Sequence, residues 1–246
     1  MKDRVIFFTH HGNNSFEQIN LQIVKKLNPE WDVIPIGFEG YILLEDSAVA
    51  YRDGYPCNIS LSCNGESTPA VDWYSADILF AEAYRQYPNY KDYFFYEYDT
   101  ISNVSVDSFF DTSVPFFGPR CVYPPPNDWN WIKSYLKFAN SQKLKFGNAG
   151  QTTCMFFQNE ILKQFYTKIT ENHRKVYNNM FSELRIGTIV GATGEIRKSR
   201  DDIEEYISWK DSYIKLNYER DFFYHPIKQM PDFYLDKMRK DNIIVV

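Results

Sequence analysis

Two carboxylates one residue apart, Glu97 and Asp99, flank Tyr98 directly after the aromatic run Tyr93-Phe94-Phe95-Tyr96. In an extended segment, residues two apart point the same way, so this pair can face one hard cation together. Magnesium or manganese takes carboxylate oxygens and completes its shell with water and substrate phosphates. A cation held there would bridge a diphosphate and offset the charge of a phosphate leaving group. An acid-x-acid triplet alone is common on solvated surfaces; this one is distinguished by its place. Four aromatics before it imply a buried strand, and the carboxyl ends of such strands are where open α/β sheets bind ligands.

Other residues could join that chemistry. His225 lies in Phe222-Phe223-Tyr224-His225-Pro226-Ile227-Lys228, a setting that holds a side chain in place, and imidazole nitrogen is a further metal ligand. Lys228 is close enough in sequence to offer positive charge to a phosphate; the alternative is a buried aromatic segment with a surface lysine. Glu183 falls in the apolar stretch from Phe181 to Val190. A carboxylate in an apolar pocket has a raised pKa and can take a proton from an acceptor hydroxyl near neutral pH. The alternative is a salt bridge to Arg185 or another cation. Tyr123, Trp129 and Trp131 beside the proline-rich segment Pro115 to Pro126 either stack on an acceptor sugar or pack a helix on a sheet. His10-His11 opens a rival reading, a metal-dependent hydrolase or deacetylase holding zinc with a nearby acid, although Gly12-Asn13-Asn14 follows where carboxylates are expected.

The elements that must position these residues are legible in outline. Arg4 to His10 reads as a buried strand and Gly12-Asn13-Asn14 as a turn. Ser15 and Gln18 match a capping box. Phe16, Ile19, Ile23, Val24 and Leu27 fall on one helical face, and Val33 to Gly37 is a second strand. Strand–helix–strand opens a parallel sheet. Residues 39 to 70 read as long and partly irregular, Asp72 to Tyr87 as a helix, and Tyr93 to Tyr96 as a third strand. Asp128 can cap a helix containing Trp129 and Ile132, Thr152 to Phe157 is a further buried strand, and Asn159 can cap the helix after it. The expected fold is one α/β domain with a mostly parallel central sheet flanked by helices.

Composition narrows the classes. Hydrophobic residues make up 44% and charged residues 24% of 246, as in ordinary globular proteins. Aromatics at 18% follow from codon bias and core packing, or from a surface that stacks on sugar rings or bases. Net charge is −5 without a basic run, which argues against nucleic acid as partner. No stretch approaches 18 apolar residues and no leader pattern opens the chain, so the expected compartment is the cytoplasm, with the inner face of a membrane a place for peripheral contact. Cys57, Cys63, Cys121 and Cys154 include no C-x-x-C pair, so no zinc site is indicated; pairing of Cys57 with Cys63 stays open. A non-catalytic, aromatic-rich carbohydrate-binding protein is the remaining rival, and the strand–helix–strand opening argues against it.

The order of these pieces resembles the nucleotide-diphospho-sugar transferase superfamily, the glycosyltransferases of GT-A fold. The resemblance runs from residue 4 to 228. It is carried by Phe8-Thr9-His10-His11 after the first strand, by Asp72 to Tyr87 leading into Tyr93 to Asp99, by Ser182-Glu183-Leu184-Arg185-Ile186-Gly187-Thr188, and by Tyr224-His225-Pro226. Glu97 stands where the family has Asp. The resemblance implies a Rossmann-like domain over 1–246, with residues 1–110 the nucleotide-sugar half and 111–246 the acceptor half. It implies a UDP- or GDP-linked sugar donor, a glycan or glycolipid acceptor and Mn2+ or Mg2+ as cofactor. The donor would be held by Phe8, Thr9, His10, Asp72, Glu97, Tyr98, Asp99 and Lys228, and the metal by Glu97, Asp99 and His225. Glu183 would be the base of an inverting reaction, and Tyr123, Trp129 and Trp131 would meet the acceptor.

Overall fold

The computed structural model describes residues 2–52, 55, 75–118, 152–171, 182–192, 221–227 and 229–244. A six-stranded sheet forms its centre, in the order β3-β2-β1-β4-β7-β6. The strands are β1 (Arg4–Thr9), β2 (Asp32–Phe38), β3 (Ala48–Ala50), β4 (Asp92–Glu97), β6 (Phe116–Phe117) and β7 (Met155–Gln158). The pairings β1–β2, β1–β4 and β2–β3 are parallel. β7 alone runs against the rest, antiparallel to both β4 and β6. The sheet is therefore mostly parallel, as the strand–helix–strand opening predicts.

Parallel strands covered on both faces carry continuous apolar runs, and β4 shows why. Tyr93 and Phe95 point into one cluster with Phe7 and Phe157, while Phe94 and Tyr96 point into another with Ile6, Phe8 and Phe156. The first face is covered by α2 (Ala76–Gln86), α4 (Asn159–Glu171) and α5 (Ser182–Ala192), through Phe80, Leu162, Phe165 and Ile189. The second is covered by α1 (Ser15–Leu27) and the short α3 (Val106–Phe109), through Leu21, Val24, Val106 and Phe109. A third cluster joins Ile23 of α1, with Phe16, Ile19 and Leu27 at its margin, to Tyr234 and Met238 of α6 (Asp232–Lys240). The helical stripe read in the sequence thus serves two cores.

The structure corrects several boundaries. The capping box of α1 is Asn14 with Glu17, one residue before the Ser15–Gln18 pair. Asn14 keeps an extended backbone and accepts from Glu17 N at 3.0 Å, the geometry an N-cap requires. Asn159 does not cap α4 from outside: the helix begins at Asn159 itself. Its side-chain amide donates to Pro88 O, Tyr90 O and the Tyr93 hydroxyl instead, stitching α4 to the turn before β4. The strand expected from Thr152 starts at Met155, because Cys154 has φ 54 and breaks the extended run. Residues 39–70, read as irregular, contain β3. Asp72, Tyr123, Asp128, Trp129, Trp131, Lys228, Cys57, Cys63 and Cys121 lie outside the described residues.

Candidate metal centre

Three ligand atoms from two distant parts of the chain meet at the carboxyl end of β4. Among the described residues, Glu97, Asp99 and His225 offer one atom each, all within 4.8 Å of one another. Glu97 is the last residue of β4 and Asp99 sits in the turn beyond it, buried. Immediately after that turn, β5 (Ile101–Ser102) pairs antiparallel with β8 (Phe223–Tyr224), with Ile101 opposite Tyr224. That short ladder ends at His225 and delivers it beside the acids. The backbone of Ile227 donates to Asp99 O at 2.7 Å and closes the strap.

His225 Nε2 lies 3.2 Å from Glu97 Oε2 and 3.0 Å from Asp99 Oδ1. Burial by itself would lower the His225 pKa, but the carboxylates of Asp99 and Glu97 outweigh it and push it up to about 10. A proton on the ring would offset the charge of the acids, and Nε2 would have to give it up to ligate a cation. The three atoms lie close enough together for one cation to meet all of them. The donors also fit: two carboxylates suit magnesium or manganese, and an imidazole nitrogen shifts the preference toward the transition ion.

Two positions that the sequence reading did not single out hold this geometry. Asn20, fully buried on α1, donates its side-chain amide to Tyr98 O at 2.7 Å and Thr100 O at 2.6 Å. It clamps the carbonyls on either side of Asp99. A polar residue inside the buried face of an amphipathic helix was the available signal. Thr153, buried just ahead of β7, places its hydroxyl 2.5 Å from Glu97 Oε2 and 3.3 Å from His225 Nε2. No local pattern marks it, since its neighbours in space come from residues far away in the chain.

The turn after β1 lies next to this centre, since Tyr98 N donates to Thr9 O at 2.8 Å. The Phe8 side chain belongs to the core beneath, fully buried with its ring centroid 6.1 Å from that of Tyr96. Any contact of Phe8 with a donor would therefore be through its backbone. His10 is likewise fully buried. Its Nδ1 meets Gly12 O at 2.8 Å and its Nε2 meets Ser47 Oγ at 2.9 Å. A carbonyl only accepts, so Nδ1 carries the proton and Nε2 accepts from the serine hydroxyl. Burial is the main reason that the His10 pKa falls to about 4. His10 shapes the turn and has no ring nitrogen to spare for a metal. His11 is half-buried, its ring 4.9 Å edge-on from Tyr98. Glu17 accepts from the backbone N–H groups of His11 and Asn14 at 3.4 Å each. The start of α1, which would otherwise attract a phosphate, already holds a carboxylate.

Glu183 sits buried in the first turn of α5. Two residues on, Arg185 forms a buried two-pronged pair with Asp77 of α2, at 2.7 Å and 2.5 Å. That pair fixes α5, and with it Glu183, against the helix that leads into β4.

No protein-family model and no curated protein matches the chain. Solved structures do. Mouse xyloside xylosyltransferase 1 in its apo form is similar at 12% identity and TM-score 0.42, over 94% of this chain and 99% of that one. The galactosyltransferase LgtC, in complex with donor and acceptor sugar analogues, is similar at 9% identity and TM-score 0.38, over 74% and 68%. A glycosyltransferase involved in glycosylation of the major capsid of PBCV-1 is similar at 12% identity and TM-score 0.34, over 68% and 67%. Likenesses this distant carry no argument about activity, which rests on the centre itself.

Proposed function

We propose that this chain is a divalent-metal-dependent glycosyltransferase that moves a sugar from a nucleotide diphosphate to a hydroxyl of a glycan or glycolipid. The observation that carries the reading is the convergence of Glu97, Asp99 and His225 at the carboxyl end of a central parallel strand. Ligands bind at that end of open α/β sheets. Manganese or magnesium, when bound there, would neutralise charge on the departing diphosphate. Asp99, buried and strapped to Ile227, supplies the fixed carboxylate. Glu97 and His225 complete the set. The turn Thr9–Gly12, with His11 and Tyr98 as partly exposed rings, is the proposed seat of the nucleotide. Asp72 and Lys228 belong to the same donor-binding proposal, and Tyr123, Trp129 and Trp131 to the acceptor side.

The proposed chemistry is a single displacement with inversion. The acceptor oxygen attacks one face of the anomeric carbon as the diphosphate leaves from the other, and Glu183 removes the hydroxyl proton. The hydrolase reading through His10 and His11 draws less support, because both His10 nitrogens are engaged within the fold. A screen of UDP- and GDP-linked sugars by thermal shift, with and without manganese, tests the proposal. A true donor at a hundred times its dissociation constant should add about 2.7 kcal/mol of stability by mass action, and only with manganese present. Stabilisation by zinc alone, with no nucleotide effect, would favour the hydrolase; no response to either ion or nucleotide would favour a binding protein.

A further inference from the structure

We infer that Thr153 is the positioning residue that makes a glutamate workable at position 97. The inference rests on the proposed metal role of Glu97, Asp99 and His225. A glutamate carries one more rotatable bond than an aspartate, so its carboxylate reaches farther and is less fixed by its backbone. Something must hold it if it is to act beside the buried Asp99.

Thr153 is built for that task. It is 2% exposed, and its β-branched side chain has restricted rotamers. Its backbone is tied through the φ 54 turn at Cys154 to β7, which pairs with β4 from Met155 opposite Phe95. The hydroxyl is therefore presented from the turn that leads into the strand next to the one that carries Glu97. A hydroxyl has one proton to donate and lone pairs to accept with. At 2.5 Å from Glu97 Oε2 the proton goes to the carboxylate, since bonds to an ionised acceptor are the shorter and stronger ones. The hydroxyl oxygen also lies 3.3 Å from His225 Nε2. The side chain thus fixes the orientation of Glu97 and leaves the remaining lone pairs of Oε2 for a cation. Partners of this kind around metal ligands typically matter about 10- to 100-fold in metal affinity.

The test is calorimetric titration of the full-length chain with manganese alone, without nucleotide. Thr153→Val keeps the shape and removes the hydroxyl, and it should weaken manganese binding by about ten- to a hundredfold. Thr153→Ser keeps the hydroxyl and should stay within about threefold of the parent. In a Glu97→Ala background Thr153→Val should cost nothing further, because the interaction it removes is already gone. Should the valine variant not fold, Thr153→Ala, also without a hydroxyl, gives the same comparison. A valine variant that binds manganese as the parent does overturns the inference, as does an equal loss with or without Glu97. Asp99→Ala separates the two levels. If it too binds manganese normally, the metal reading itself fails. If it loses binding while Thr153→Val keeps it, only the role of Thr153 falls.

Discussion

Two buried imidazoles shift in opposite directions, because different groups face each ring. His10 meets a carbonyl and a hydroxyl and stays neutral. His225 meets two carboxylates and takes the charge. For His10 the folded-state pKa of about 4 lies below the ordinary 6.5, so the unfolded chain binds the proton more readily. Its contribution to stability is complete above about pH 6.5 and is lost as pH falls toward 4. The full difference is on the order of 3 kcal/mol. Urea unfolding of the parent and of His10→Asn at pH 7 and pH 5 checks this. The parent should lose more stability between the two than the variant; equal losses would show that His10 is not the titrating group. Glu183 belongs to the same scale. Glu183→Gln keeps the shape and removes the basic oxygen, so turnover should fall by about a hundred- to ten-thousandfold while donor affinity holds. A folded Gln variant turning over at the parent rate, or a product with the donor's own anomeric configuration by proton NMR, would reduce Glu183 to a structural residue.

The elements act as levers for these residues. β4 carries Glu97 to the carboxyl end of the parallel strands, the β5–β8 ladder brings His225 back to it, and α2 ties α5 in place through Asp77 and Arg185. Removing one partner of a buried ion pair leaves the other charge uncompensated and costs about 3–5 kcal/mol. Asp77→Ala should therefore lower the urea midpoint by a corresponding amount, and a shift worth under about 1 kcal/mol would show that α5 is held by its apolar face alone. β4 could be read from the sequence because it is apolar on both faces and ends in acids. β3 could not, being three residues long inside a stretch rich in turn formers. Nor could the β5–β8 ladder, which is two residues long and joins segments far apart in the chain. The start of α1 was misplaced by one residue because Asn14 and Ser15 are both good caps and only the backbone angles choose between them.

At the scale of the whole molecule, the six-stranded sheet draws on both proposed halves of the chain, with β6 and β7 coming from beyond residue 110. The candidate centre draws on both as well, through His225 and Thr153. The division into a nucleotide half and an acceptor half is accordingly a proposal about which ligand each part meets. Among the described residues no helix is long and apolar enough to cross a membrane. The α/β class and the acid pair were legible because they depend on local periodicity and on position at a strand end. The supporting shell of Asn20 and Thr153 was not, because it depends on which distant segments the fold brings together. The central claim is that Asp99 anchors a cation which in turn holds a nucleotide diphosphate. Calorimetric titration of UDP and GDP into the parent and Asp99→Ala, each with and without manganese, tests it most directly. The account predicts manganese-dependent binding of one of them by the parent and none by a folded Asp99→Ala; unchanged manganese-dependent affinity in that variant would contradict it.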